Sequence, residues 1–129
     1  MTVERRIDAR LFPPPGYAHV AVAKGTSVYT AGAVPLDAEG RLVGAGDVAA
    51  QTRQVIDNLL TALEAGGARA DDVVKATVYV VAADNEPLVR AWDVVRESPL
   101  AGAPSTLLGV SALGYRGQLV EIEAVAIVD

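Results

Sequence analysis

Residues 119–128, LVEIEAVAIV, constrain the fold more than any other stretch of the chain. With a period of two, one face carries Val120, Ile122, Ala124, Ala126 and Val128, all apolar. The other carries Leu119, Glu121, Glu123, Val125 and Ile127, so two carboxylates share a face with three aliphatics. A strand apolar on both faces belongs inside a sheet that is covered on both sides. Carboxylates on such a strand need a partner, water or a ligand, because a lone buried charge costs several kcal/mol or shifts its pKa. Glu121 and Glu123 are therefore the first candidates for a site. The alternative is that they face solvent at the start of the strand.

The length, 129 residues, fits one domain over 1–129, large enough to bury a core without staples. Hydrophobic residues make up 51%, much of it Ala and Val, and no run approaches the ~20 apolar residues of a membrane span. So much apolar surface on a small chain points to burial between subunits. There is no cysteine, hence no disulfide framework and no thiolate chemistry. Without a secretory pattern, the expected location is cytoplasmic. The net charge of −5, with Lys and Arg scattered singly, argues against nucleic acid as a partner. A single His without Cys argues against a zinc set, and a carboxylate-only magnesium site stays open although no acidic triplet at loop spacing argues for one.

Met1 to Phe12 reads as a charged arm, either irregular or an edge strand, followed by Pro13-Pro14-Pro15-Gly16, which forces an extended, turning path. Tyr17 comes next, as a packing lid or as a phenol placed in a cleft. Residues 19–23 and 27–31 are short β-prone runs separated by Lys24-Gly25-Thr26, which predicts a β-hairpin. His19 reads as a strand-surface residue rather than a catalytic base, with no Ser or Cys nucleophile beside it. Gly32 is there for positive φ or to let a ligand approach the backbone, and the turn explanation is the commoner one.

The clearest helix spans 47–65, with Asp47 as N-cap, a stripe of Thr52, Val55, Ile56, Leu59, Leu60 and Leu63, and a Gly66-Gly67 stop. Residues 73–81, dense in β-branched side chains, read as a central strand. A second helix begins at Asp84-Asn85, with Pro87 in its first turn and Leu88, Val89, Trp92 and Val95 inward. Arg90 reads there as a solvated surface cation, with a ligand-facing role as the alternative. A strand over 105–111 and a turn at Gly114-Tyr115-Arg116-Gly117 lead into the last strand. The expected architecture is α+β, a mixed sheet with both helices on one face and a bare face that needs another subunit.

Gly16-Tyr17, residues 29–36 (YTAGAVPL), 50–58 (AQTRQVIDN), 72–78 (DVVKATV) and 120–126 (VEIEAVA), in this order and spacing, resemble the Rid (reactive intermediate deaminase) family, also called the YjgF family. The resemblance implies a chorismate-mutase-like fold and a homotrimeric barrel, with small-molecule sites in the clefts between subunits. Active members hydrolyse imines and enamines such as 2-iminopropanoate, without a cofactor. By resemblance, Glu121 positions or activates water, and Tyr17 and Gly32 shape the pocket. The family's carboxylate-binding arginine lies in a Pro-Ala-Arg-Ser segment; here the stretch is Ala103-Pro104-Ser105-Thr106, so Ser105 stands in its place beside Thr106. A serine cannot replace a bidentate, charge-assisted contact, whose loss costs a few kcal/mol, on the order of 10²-fold in binding. The expected substrate thus lacks the usual 2-carboxylate or presents it differently. Arg90 matches a cleft-side asparagine of active members and is the candidate compensating cation, with Arg116 a weaker one. The alternatives on the same scaffold are a non-catalytic ligand-binding or regulatory protein and a pathway-specific biosynthetic enzyme.

Overall fold

The computed structural model describes residues 2–129. The elements run β1 (Val3–Arg6), β2 (Val20–Ala23), β3 (Thr26–Tyr29), α1 (Val48–Ala65), a 3₁₀ turn (Ala70–Asp72), β4 (Val73–Val81), α2 (Asn85–Arg96), β5 (Ser105–Val110) and β6 (Val120–Val128). Four strands form a mixed sheet in the order β3-β6-β4-β5, with β4 and β5 parallel and the other pairs antiparallel. The fold is α+β, as expected.

The alternation in β6 is realised. Val120, Ile122, Ala124 and Ala126 are buried, while Glu121, Glu123, Val125 and Ile127 are only half-buried on the other face. The buried row joins Ala76, Val78 and Val80 of β4, and both helices close over it with Val55, Ile56, Leu59, Leu63, Ala91 and Val95. Among the described residues, no helix covers the opposite sheet face.

Both helix starts have the caps their sequences announce. Asp47 accepts a hydrogen bond from Ala50 N at 3.0 Å, and Asp84 accepts one from Glu86 N at 3.1 Å. At the end of α1, Gly67 (φ +81°) lets Gly67 N–H reach Glu64 O and Ala68 N–H reach Leu63 O, both at 2.9 Å. This is the paired-bond termination that favours glycine. On α2, Val89 does not point inward as expected; it is 56% exposed, on the outer side of the helix.

The expected hairpin does not form. β2 pairs with β1, whereas β3 pairs with β6. The segment changes sheets at Gly25 (φ +142°), where a Cβ would collide with the Val128 carbonyl. Glycine thus serves a crossing rather than a two-strand turn. The N-terminal arm is accordingly a strand, tied down by buried Val3 and by Arg5, whose guanidinium donates to Ala70 O (2.9 Å) and Val73 O (3.0 Å).

Candidate active site

The open face of the sheet collects the polar side chains. Register sets Tyr79 of β4 opposite Glu121 and Thr77 opposite Glu123. Tyr79 Oη donates to Glu123 Oε2 at 3.0 Å. That bond, followed by burial and by the charges of Glu123 and Glu121, raises the phenol above its ordinary pKa. On the neighbouring strand, Thr106 accepts a hydrogen bond from Lys75 Nζ at 2.7 Å. Lys75, Thr77 and Glu123 line a depression of about 250 Å³ with Tyr29 and Thr30.

Glu121 is held from one side and left free on the other. Buried Gln118 donates from Nε2 to Glu121 Oε1 and to Val120 O, each at 3.0 Å, and its Oε1 accepts from Tyr115 N at 3.1 Å. The turn before β6 is fixed in turn by Gln51 of α1. Gln51 donates to Gly44 O (3.2 Å) and Gly117 O (3.0 Å) and accepts from Leu119 N at 2.7 Å. The second oxygen, Oε2, has no hydrogen-bond partner among the described residues and lies against Gly32.

Gly32 is outside the positive-φ region, so the turn explanation for it fails. Its missing side chain has a steric cause: a Cβ there would overlap Oε2 and come within 2.6 Å of Cδ. Past β3, the chain stays beside β6 through Thr30 N–H to Ala124 O (3.1 Å) and Ala33 N–H to Ile122 O (2.8 Å). Between those bonds, the backbone groups of Ala31 and Gly32 pair with none of the described residues. A half-buried carboxylate with one fixed oxygen, one free oxygen and unpaired backbone beside it can bind a water and take its proton.

Tyr17 and Ser105 meet elsewhere. With Pro15, Trp92 and Leu107 they line a cleft of about 260 Å³. Tyr17 packs edge-to-face on Trp92, with centroids 6.1 Å apart and planes at 72°, and on His19 at 6.2 Å and 83°. Trp92 Nε1 donates to Pro15 O at 2.7 Å, and Ser105 Oγ donates to Ala103 O at 2.8 Å. His19 is a structural tie, accepting from Asp8 N at Nδ1 (3.0 Å) with Nε2 3.1 Å from Phe12 O.

Ser105 is paired with buried Ala76 and Thr106 with Thr77, so these neighbours occupy opposite faces of β5. Within the single chain, then, Glu121 contacts Gly32, Tyr17 shares a cleft with Ser105, and Thr106 lies on the open face with Lys75. Arg90 joins none of them. It is exposed on α2, ion-paired with Glu86 one turn away. Sequence reasoning missed Gln118, which looks like a solvated turn residue; Trp92 packs against the core as expected and walls the cleft as well.

A family profile described as Endoribonuclease L-PSP matches residues 8–128. The chain belongs to this family, that of the Rid and YjgF proteins. A Rid family protein of unknown function from Yersinia pestis, YyfB, superimposes with a TM-score of 0.86 at 33% identity, covering 99% of this chain and 100% of its own. A RutC family protein of Pyrococcus horikoshii is 34% identical over 106 residues, 82% of each chain. The 2-iminobutanoate/2-iminopropanoate deaminase of Dermatophagoides farinae is 28% identical over the full length of both chains. This Rid chain contains no helix long and apolar enough to cross a membrane among its described residues.

Proposed function

We propose that this Rid protein binds a small molecule in clefts between three copies of itself and hydrolyses a carbon–nitrogen double bond there. The observation that carries the reading is the Glu121 carboxylate, pinned through Oε1 by Gln118 and free at Oε2 beside the unpaired backbone of Ala31 and Gly32. Glu121 takes a proton from water as its oxygen adds to the imine carbon. Glu121 passes that proton to the imine nitrogen, giving a carbinolamine. The carbinol O–H proton then follows to the same nitrogen as the C–N bond breaks, so that ammonia leaves, a carbonyl forms and the carboxylate is restored. No cofactor or metal enters the scheme, and the cytoplasm is its setting.

The helix-free sheet face, half-apolar through Val125 and Ile127 and bearing exposed Tyr29, supports assembly with further copies. In such an assembly Tyr17, Gly32, Ser105 and Thr106 bound the pocket, and Arg90 is the cation available to a carboxylate from another wall. A net charge of −5 speaks against the polyanionic substrate that the name of the family profile would imply.

The test generates imines in situ from amino acids and traps them with semicarbazide in competition with the protein. Glu121→Gln should abolish turnover. Undiminished turnover in that variant would overturn the assignment, whereas saturable ligand binding without any turnover would favour a non-catalytic binding protein. Arg90→Ala decides whether a substrate carboxylate is held from that wall, by whether KM rises.

A further inference from the structure

Among the described residues, no charged side chain lines the cleft of Pro15, Tyr17, Trp92, Ser105 and Leu107. Its volume of about 260 Å³ exceeds the ~150 Å³ in which a buried cavity can hold benzene. Two of its polar groups are already committed: the Trp92 N–H to Pro15 O and the Ser105 hydroxyl proton to Ala103 O. What remains for a ligand is the Tyr17 hydroxyl, the lone pairs of Ser105 Oγ and two aromatic rings at a steep angle.

A carboxylate entering this space would shed water without meeting a cation, which is unfavourable. A flat uncharged ring would gain apolar burial and edge or face contact with both aromatics. We propose that this cleft is a ring subsite, and that the substrate is an imine or enamine bearing an uncharged aromatic or cyclic group where a carboxylate would otherwise be held. The word substrate rests on the hydrolytic reading above; ring binding itself does not. Because Ser105 faces the helices and Glu121 the open sheet, ring and reacting carbon are held by different copies of the chain.

Trp92 is the only tryptophan, so its fluorescence reports occupancy directly. Titration of the full-length protein with benzamide should shift the emission saturably, at least tenfold more tightly than benzoate or acetamide. Tyr17→Ala, which opens the cleft, and Leu107→Phe, which fills it, should each weaken benzamide at least tenfold while circular dichroism stays unchanged. Glu121→Gln should leave it unaltered. Benzoate binding as tightly as benzamide, an emission that does not move, or indifference to both cleft variants would each overturn the ring subsite. Benzamide binding without turnover of any imine would remove the hydrolytic reading alone. Glu121-dependent turnover without benzamide binding would remove the ring subsite alone.

Discussion

The Glu121 carboxylate fills the space beside Gly32 where any other residue would carry its side chain. The two positions therefore constrain each other: the acid stays in place only while residue 32 has no Cβ. Gly32→Ala should drive the carboxylate off its position and lower kcat by roughly 10²-fold, the scale expected for a misplaced catalytic group. Since φ at this residue is ordinary, the fold should survive. Steady-state kinetics beside a thermal melt checks both halves.

Gln118 orients Glu121 without touching the proposed substrate. Gln118→Leu removes its bonds to Glu121 Oε1, Val120 O and Tyr115 N. Burying these groups unpaired should cost about 1–3 kcal/mol in urea unfolding. The loosened acid should lower kcat by roughly tenfold while KM changes little, a split that separates positioning from substrate binding.

Ser105→Arg would set a guanidinium fork at the edge of the aromatic cleft. The variant should gain turnover of 2-iminopropanoate, with kcat/KM rising on the order of 10²-fold, because a carboxylate would then meet a bidentate partner. Semicarbazide competition on both proteins measures the gain. An unchanged rate would show that the carboxylate is held elsewhere.

Tyr79 gives a pH signature. Its hydrogen bond to Glu123, then burial and the two nearby carboxylates, hold its proton above the ordinary value of 10.0. The folded phenol is thus the weaker acid, so its contribution to stability is complete below the unfolded value and is lost as pH rises through the folded one. Ultraviolet titration of the phenolate should show Tyr79 ionising above its ordinary value. Glu123→Gln should bring it back down.

Local signals made much of the fold legible. Asp47 and Gly67 bound α1 through contacts within a few residues, and the two faces of β6 follow from its own alternation. The failures have a common cause in distant partners. Lys24-Gly25-Thr26 has the composition of a turn, but the carbonyl that requires Gly25 belongs to Val128. Gly32 answers to Glu121 in the same way, and Gln118 becomes a buried anchor only once β6 and the preceding turn are assembled. Glu121 itself was visible as a carboxylate on a strand apolar on both faces. Trp92 was not visible as a cleft wall, because its neighbours Pro15 and Tyr17 arrive from the other end of the chain.

The change of sheets at Gly25 divides the molecule into parts of unequal tenacity. A two-stranded ribbon is marginal by itself, so β1 and β2 hold on through Val3, Arg5 and the Trp92–Pro15 bond, while the four-stranded sheet has its own core. Amide hydrogens of the ribbon should therefore exchange with deuterium well before those of β4 and β6, through openings that spare the rest of the protein. Pro15 and Tyr17 travel with that detachable part, so the aromatic cleft exists only while the ribbon is docked, and whatever fills the cleft also slows the ribbon's release.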